Sequence, residues 1–411
     1  MGRALERSVT MTAASDAVSF FGRAAASIFD RPGVGMPIRI AWRNLVNDRG
    51  RFGVTLVGIM FSVVLMGVQL GLLLGVISTT STIVAHSGAD IFIAAPGVKS
   101  VDVSAPQLER RRFQALGAPG VARAEIMSLD FRQWKRTDGV AEIVAVVGVS
   151  PNATMGLPWS IVGGESPRAL LSQPDGVIVD RLYAEKLGVL RKNQLNEING
   201  VRVRVVGFTQ GIRTFTQSPF VFTSLTNERR MTGLGHDHIS YVLVRVAEGW
   251  DPRDVRDRLQ KRLPDAEVVT AAEFAGNSAK YWLFTTGAGA SLMMSALLAL
   301  LIGGVVVAQT LYASTMDRLP EYAMLRAIGS SAGYLHKIVL TQAGLAGVLG
   351  YVLGLCAVTI VVWQSRDASA APEMPSWLAI VIGVVTLLEC LVAAVVSLRA
   401  IARIDPVEVF R

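Results

Sequence analysis

Charge is scarce in this chain and unevenly placed. Only 18% of its 411 residues are Asp, Glu, Lys or Arg, against roughly 25% in an ordinary soluble protein. The shortage lies in four long windows, and the rest of the chain is charged normally. That pattern excludes a purely soluble enzyme, a disordered chain and a fibrous repeat. Cysteine is nearly absent: Cys356 and Cys390 are the 2 present, both in apolar windows, so neither a disulfide framework nor a Cys-based zinc site is available. Histidine is limited to 4 residues. His236 and His238 form an H-x-H pair with no third ligand at readable spacing, which reads as a solvated turn before a metal site; His86 stands alone as a surface residue. No G-x-x-x-x-G-K-[ST] phosphate cradle occurs, so the chain cannot hydrolyse ATP alone in the P-loop manner. No G-x-S-x-G elbow occurs either, and an enzymatic reading is weak. The net charge of +8 follows the edges of the apolar windows instead of forming a nucleic-acid stripe.

What is abundant is apolar sequence, 51% of residues, with a mean hydropathy of +0.43. By length alone, two or three soluble domains would fit, but the apolar residues concentrate in windows 53–77, 283–316, 338–365 and 377–398. Each exceeds the roughly 18–20 residues that cross about 30 Å of hydrocarbon as a helix. The expected fold is an α-helical integral membrane protein with four transmembrane helices and a large α/β extracytoplasmic domain, residues 78–282, between the first two. Orientation follows from the basic residues. Arg39, Arg43, Arg49 and Arg51 precede the first span; Arg318, Arg326 and Lys337 lie between the second and third; Arg399, Arg403 and Arg411 follow the fourth. The opposite side has only Lys280 and Arg366 near a span, so both termini and the 317–337 loop are expected in the cytoplasm, with residues 399–411 as a cytoplasmic tail.

No cleavable signal peptide is evident. Residues 1–35 read as a tail or a peripheral helix, and Met36 is an alternative start. Within 36–52, Ile38, Trp42, Leu45 and Val46 share one face opposite Arg39, Arg43 and Asn47, the pattern of a helix lying in the membrane interface. In the outside segment, 90–94, 122–131, 141–149, 177–180, 201–208, 220–223 and 241–246 have strand composition, and 107–116 and 254–263 read as helices. Two subdomains are expected, one from 90–150 with 240–275 and one inserted near 165–235.

The polar points inside the spans are Gln69, Gln309, Gln342 and Glu389. A carboxylate there costs roughly 2.5–3.5 kcal/mol on insertion scales and should find a protein partner. Glu389 is either a proton or substrate site, or a protonated or hydrogen-bonded packing residue that fixes the bundle; the packing reading is preferred, because one acid without a basic partner makes a poor relay. Gly347, Gly350 and Gly354 lie inside the third span at the spacing of close helix packing.

Between the second and third spans, Pro320 suits a helix's first turn and Glu321 complements its positive end. Arg326 lies near the last turn, Gly329 can end the helix in a left-handed cap, and Ser330 or Ser331 can cap the helix that follows. The run L-P-E-Y-A-M-L-R-A-I-G, Leu319 to Gly329, resembles the coupling-loop signature of the MacB/FtsX-like family of ABC transporter permeases. Ile404-Asp405-Pro406-Val407-Glu408-Val409-Phe410-Arg411 is similar to that family's tail, and Ala41-Trp42-Arg43-Asn44-Leu45 to the helix leading into its first span. Gly176–Asp180, Ala184–Gly188 and Val205–Gly207 resemble its periplasmic core. Phe61–Met66, Gln69–Gly71 and the L-P-E-Y form look most like the DevC-type branch, which is associated with glycolipid export; Arg326 stands where that branch often has lysine. From about residue 36 onward, the whole chain follows the family's order of parts.

This resemblance implies a permease of the bacterial inner membrane, pairing as a homodimer with separate ABC ATPase subunits that bind ATP and Mg, so no cofactor is expected in this chain. It implies ATP-driven motion passed through Arg318, Glu321, Leu325, Arg326 and Gly329 to spans that extend as a stalk, and from there to the outside domain. A lipid or amphiphile would be the cargo, with a periplasmic membrane-fusion protein and an outer-membrane channel as further partners. Two alternatives remain open at this point: an FtsX-like regulatory scaffold that activates a cell-envelope hydrolase, and a membrane-anchored enzyme acting from its outside domain.

Overall fold

The computed structural model describes residues 49–401 apart from positions 236, 367, 369 and 370. The 1–35 tail, nearly all of the 36–52 helix, His236 and the Ala41–Leu45 and Ile404–Arg411 motifs therefore lie outside the described residues. The described chain divides into a helical unit, made of residues up to Gly71, Met294–Gln364 and those from Pro372 onward, and an α/β unit, Leu72–Met293 with Ser365–Ala371.

In chain order, α1 (Arg49–Thr80) and the short α2 (Thr82–His86) lead into β1 (Ile91–Ala94), β2 (Gln107–Leu108), α3 (Arg110–Leu116), β3 (Val121–Lys135) and β4 (Ala141–Val149). Next come α4 (Pro167–Leu171), β5 (Gly176–Asp180), β6 (Leu195–Ile198), β7 (Val201–Thr209), β8 (Phe220–Ser224) and α5 (Leu225–Thr232). The domain closes with β9 (His238–Ile239), β10 (Tyr241–Val246), α6 (Pro252–Arg262), β11 (Glu267–Thr270) and α7 (Ala271–Phe284). Finally come α8 (Gly287–Met316), α9 (Leu319–Ala327), α10 (Ala332–Gln364) and α11 (Ser376–Ile401).

Among the described residues, four helices, α1, α8, α10 and α11, are long and apolar enough to cross a membrane. At 1.5 Å per residue, the 32 residues of α1 run for about 48 Å, well beyond the hydrocarbon. The second apolar window, expected as a continuous helix from residue 283, instead breaks at Thr285–Thr286. Thr270 starts α7 with a full capping box, its hydroxyl on Glu273 N–H and the Glu273 carboxylate on its own N–H. Thr286 then opens α8, its Oγ1 accepting from Gly289 N at 3.2 Å. Hydropathy does not register such a break, because Leu283 and Phe284, the apolar end of α7, adjoin the apolar start of α8.

The expectation of two subdomains is corrected. One sheet runs β11-β1-β10-β3-β4-β8-β5-β7-β6, so strands of the 165–235 segment continue directly from β4. The joint is a parallel pairing of β4 with β8, Ala145 opposite Phe220 to Val149 opposite Ser224. The 15-residue β3 is the spine: its first half pairs with β10 and its second with β4. Its end also pairs with β6, Trp134 opposite Ile198, which closes this half of the sheet on itself. Both faces are covered, which explains the unbroken apolar runs in β1, β4 and β5. Phe92, Ala145, Val147, Ile178 and Phe222 enter a core capped by Phe274 of α7 and by Leu170 and Leu171 of α4. On the other face, Ile91, Ile93 and Val242 meet Val255 and Leu259 of α6, and Val144, Val146 and Val179 meet Met231 of α5. The helix expected over 107–116 starts only at Arg110; Gln107 and Leu108 pair instead with β9, held by Gln107 Nε2 donating to Ile93 O at 2.7 Å and Ser240 O at 2.9 Å.

Two acids in this domain have carboxyls raised by burial. Glu228 of α5 is fully buried over Gly148, where an added Cβ would lie 2.6 Å from the Glu228 Cβ. Its Oε1 accepts from the Ser128 hydroxyl at 2.8 Å, and burial holds its carboxyl above the usual range. Asp102, on the loop facing α7, is pushed from 3.8 up to about 6 by burial, which outweighs a hydrogen bond from Trp282. A carboxyl raised in the folded state binds its proton more tightly there than in the unfolded chain, so stability falls as pH rises from about 4 to about 6. Two pH units at 1.36 kcal/mol each make this about 3 kcal/mol for Asp102, and Glu228 acts in the same direction. The full chain in detergent should therefore melt at a higher temperature at pH 5 than at pH 7.5, and Asp102→Asn should flatten that slope. An unchanged slope in the variant would mean that Asp102 is not the titrating group.

Candidate functional site: the α9 coupling helix

The helical unit is assembled through glycines. A Cβ on Gly350 or Gly354 of α10 would lie 2.5 Å from Ile59 or Val63 of α1, and one on Gly347 would lie 3.0 Å from Cys390 Sγ of α11. All three positions singled out by spacing are thus points where another helix approaches. Helix α8 meets α1 in the same way, with Gly303 against Ser62 Oγ and Gly58 against Thr310 Oγ1.

This bundle holds α9. Pro320 and Glu321 occupy its first turn and Arg326 its last. Gly329 has φ +101°, and Ser330 N donates back to Leu325 O at 3.1 Å, so the helix stops on a left-handed glycine. Ser331 Oγ accepts from Tyr334 N at 3.3 Å and caps α10. Tyr322, only 2% exposed, donates its hydroxyl to Gln342 Oε1 of α10 at 2.9 Å. Burial pushes the Tyr322 hydroxyl up to about 12, so it remains a donor at any physiological pH. At the neighbouring end of α8, Asp317 pairs with Arg51 of α1 at 3.5 Å. Both partners are half exposed, so this pair contributes little.

The residues named from the sequence do not share one surface. Arg318 is buried, 5% exposed, and presents no solvent face; its place beside Tyr322 makes it part of the anchor. Glu321, Arg326 and Gly329 are exposed and Leu325 is half buried. Sequence reasoning missed Met324, 59% exposed, and Ile328, 78% exposed. Four residues apart, they share a face with Glu321. The signal was present: with Tyr322 and Leu325 turned inward, further apolar residues on so short a helix are surplus to its own packing.

The intramembrane polar residues are likewise dispersed. Gln342 holds Tyr322, Gln69 is half buried on α1, Gln309 is exposed on α8, and Glu389 lies on α11 beside Gly304. Glu389 Oε2 is buried without a hydrogen-bond partner among the described residues. In the other unit, His86 is exposed and stacks on Trp159 at 4.4 Å, and no cluster of three metal-ligating side chains occurs among the described residues.

Residues 52–262 match the family model of the MacB-like periplasmic core domain, and residues 293–406 match that of the FtsX-like permease C-terminal. The chain belongs to the MacB/FtsX-like family of ABC transporter permeases. Among similar curated proteins is an ABC transporter permease of Mycobacterium tuberculosis, described as uncharacterized, 22% identical over 337 residues, which cover 79% of this chain and 84% of that protein. A second from the same organism is 24% identical over 364 residues, 86% of this chain and 93% of its own. The periplasmic region of MacB from Actinobacillus actinomycetemcomitans is similar at 8% identity, with a TM-score of 0.36, over 47% of this chain and 94% of that one. In this MacB/FtsX-like permease, then, four membrane helices and an α/β periplasmic-core domain form the membrane subunit of an ABC transporter, a type of machine that implies a partner ATPase.

Proposed function

We propose that this permease works by transmitted force. A separate ATPase subunit, binding ATP and Mg, closes against the exposed face of α9, and the motion passes into the membrane helices and on to the α/β domain. The observation that supports this best is the construction of α9: rigidly anchored by Tyr322 to Gln342 of α10, stopped at Gly329, and carrying surplus apolar side chains outward. Met324 and Ile328 fill a groove on the ATPase, Leu325 flanks them, and Glu321 and Arg326 pair with charges around it. Gly329 is the hinge, and Arg318 supports the helix from within.

The complex is a homodimer of this chain in a bacterial inner membrane, with both termini cytoplasmic. The cargo is a lipid or amphiphile, passed on through a membrane-fusion protein and an outer-membrane channel; the coupling loop's likeness to the DevC-type branch supports that choice. Arg326→Glu reverses one contact charge while costing the helix itself only about 0.3–1 kcal/mol at its C-terminus. In reconstituted vesicles the variant should insert normally and its ATPase partner should still turn over, with transport cut at least ten-fold. Normal transport by Arg326→Glu would refute the contact.

A further inference from the structure

The loop between β7 and β8, residues 210–219, has its backbone fixed at several points. Asp180, 1% exposed at the end of β5, accepts from Thr209 Oγ1 at 2.8 Å, Gly211 N at 3.1 Å, Ile212 N at 2.9 Å and Leu182 N at 2.9 Å. Ile212 and Thr214 are both buried, and Thr214 Oγ1 donates to Ser218 O at 2.9 Å. Phe215 packs on Trp282 of α7, with ring centroids 4.5 Å apart. Arg213 stands between the two buried residues. Its Nε donates to Ala368 O at 3.1 Å and its Nη2 to Arg366 O. Both carbonyls belong to the connection between α10 and α11, whose residues Ser365–Ala371 form part of the α/β unit. A planar guanidinium with two donors on one stretch of backbone fixes its orientation as well as its position.

We propose that Arg213 is a positioning residue for force transmission: it ties the α/β domain to the far end of α10, so that α10 carries the stroke received at α9. The inference rests on the α9 reading above and names the path that leads from it. Near the start of α10, Gln342 holds Tyr322 of α9. The helix runs unbroken for 33 residues, Ala332–Gln364, about 50 Å at 1.5 Å per residue. It ends directly before the segment that Arg213 holds. The path through α8 differs, because the break at Thr285–Thr286 interrupts it before α7. Helix α1, also unbroken, is the remaining rival.

The test measures hydrogen exchange in the full chain co-purified with its ATPase in lipid nanodiscs, nucleotide-free and with a non-hydrolysable ATP analogue. In the wild type, the analogue should change exchange in residues 319–331, which report the input at α9, and in residues 201–215, which report the output. Arg213→Ala should leave the first response intact and reduce the second about five-fold or more, as expected when the charged hydrogen bonds that couple the two elements are lost. Arg213→Lys, which keeps one donor group, should retain part of it. Cys356 is exposed, so the rescue uses a Cys356→Ser background. There, a reducible crosslinker joining Arg213→Cys to Ala368→Cys should restore the output response, and reduction should remove it again. Exchange in 201–215 that Arg213→Ala raises equally in both states would show a purely structural role and overturn the proposal. A full output response in Arg213→Ala would overturn it too and assign the stroke to α1. A wild type without any response at 319–331 would refute the α9 reading itself, and this path with it.

Discussion

Replacing Met324 and Ile328 together with aspartate should abolish co-purification of the ATPase with this permease while leaving the permease folded in the membrane. The two side chains are 59% and 78% exposed in the chain itself, so removing them costs its own fold almost nothing. In the proposed complex both become buried. Losing that burial is worth about 1.5–3 kcal/mol per side chain, and placing two unpaired carboxylates in the contact adds desolvation. A combined loss of about 4 kcal/mol corresponds to nearly a thousand-fold weaker binding. Quantitative pull-down from solubilised membranes measures it, with the Met324→Leu, Ile328→Leu pair as control. Undiminished recovery of the ATPase with the aspartate pair would place the contact elsewhere.

The second large effect concerns the helix junctions. Gly354→Ala should destabilise the bundle, whereas Gly344→Ala in the same helix should be neutral or stabilising. At Gly354 the new Cβ would lie 2.5 Å from Val63 Cβ, while at Gly344 nothing lies within 4 Å. An alanine normally favours a helix by about 0.8–1 kcal/mol over glycine, so the sign of the effect reports helix contact and not propensity. Separating α1 from α10 to admit the methyl group costs about 1–3 kcal/mol, and Gly354→Leu costs more. Thermal unfolding of the two alanine variants in detergent distinguishes them. Equal shifts would mean that α1 and α10 do not touch at Val63.

What could be read from the sequence divides along a physical line. The spans were legible because a bilayer excludes charge, so each of the four apolar windows corresponds to a long helix. The glycines of α10 were legible because close packing tolerates no side chain at fixed helical intervals, and all three meet another helix's side chain. The positions of seven strands were legible from composition, while β2, β6, β9 and β11 were not. Nor was strand order: no local pattern announces that Ala145 lies beside Phe220, because partners in a sheet are set by long-range packing. The break at Thr285–Thr286 was hidden for a local reason, since the apolar last residues of α7, two uncharged threonines and the apolar α8 read as one window. On α9 the sequence exposed the caps, Pro320 and Gly329, but not the facing. Arg318, named for coupling, is buried, and Met324, not singled out, is exposed.

Force transmission through α9 is tested most directly by a photo-crosslinking amino acid at Ile328 of the full chain in native membranes. The expected product is a covalent adduct with an ABC ATPase subunit, whose yield changes between ATP-bound and nucleotide-free conditions. The same probe at Leu190 of the α/β domain, 90% exposed, should give no such adduct. An Ile328 probe that never captures an ATPase, in membranes where other ABC complexes are crosslinked normally, would contradict the coupling role of this helix.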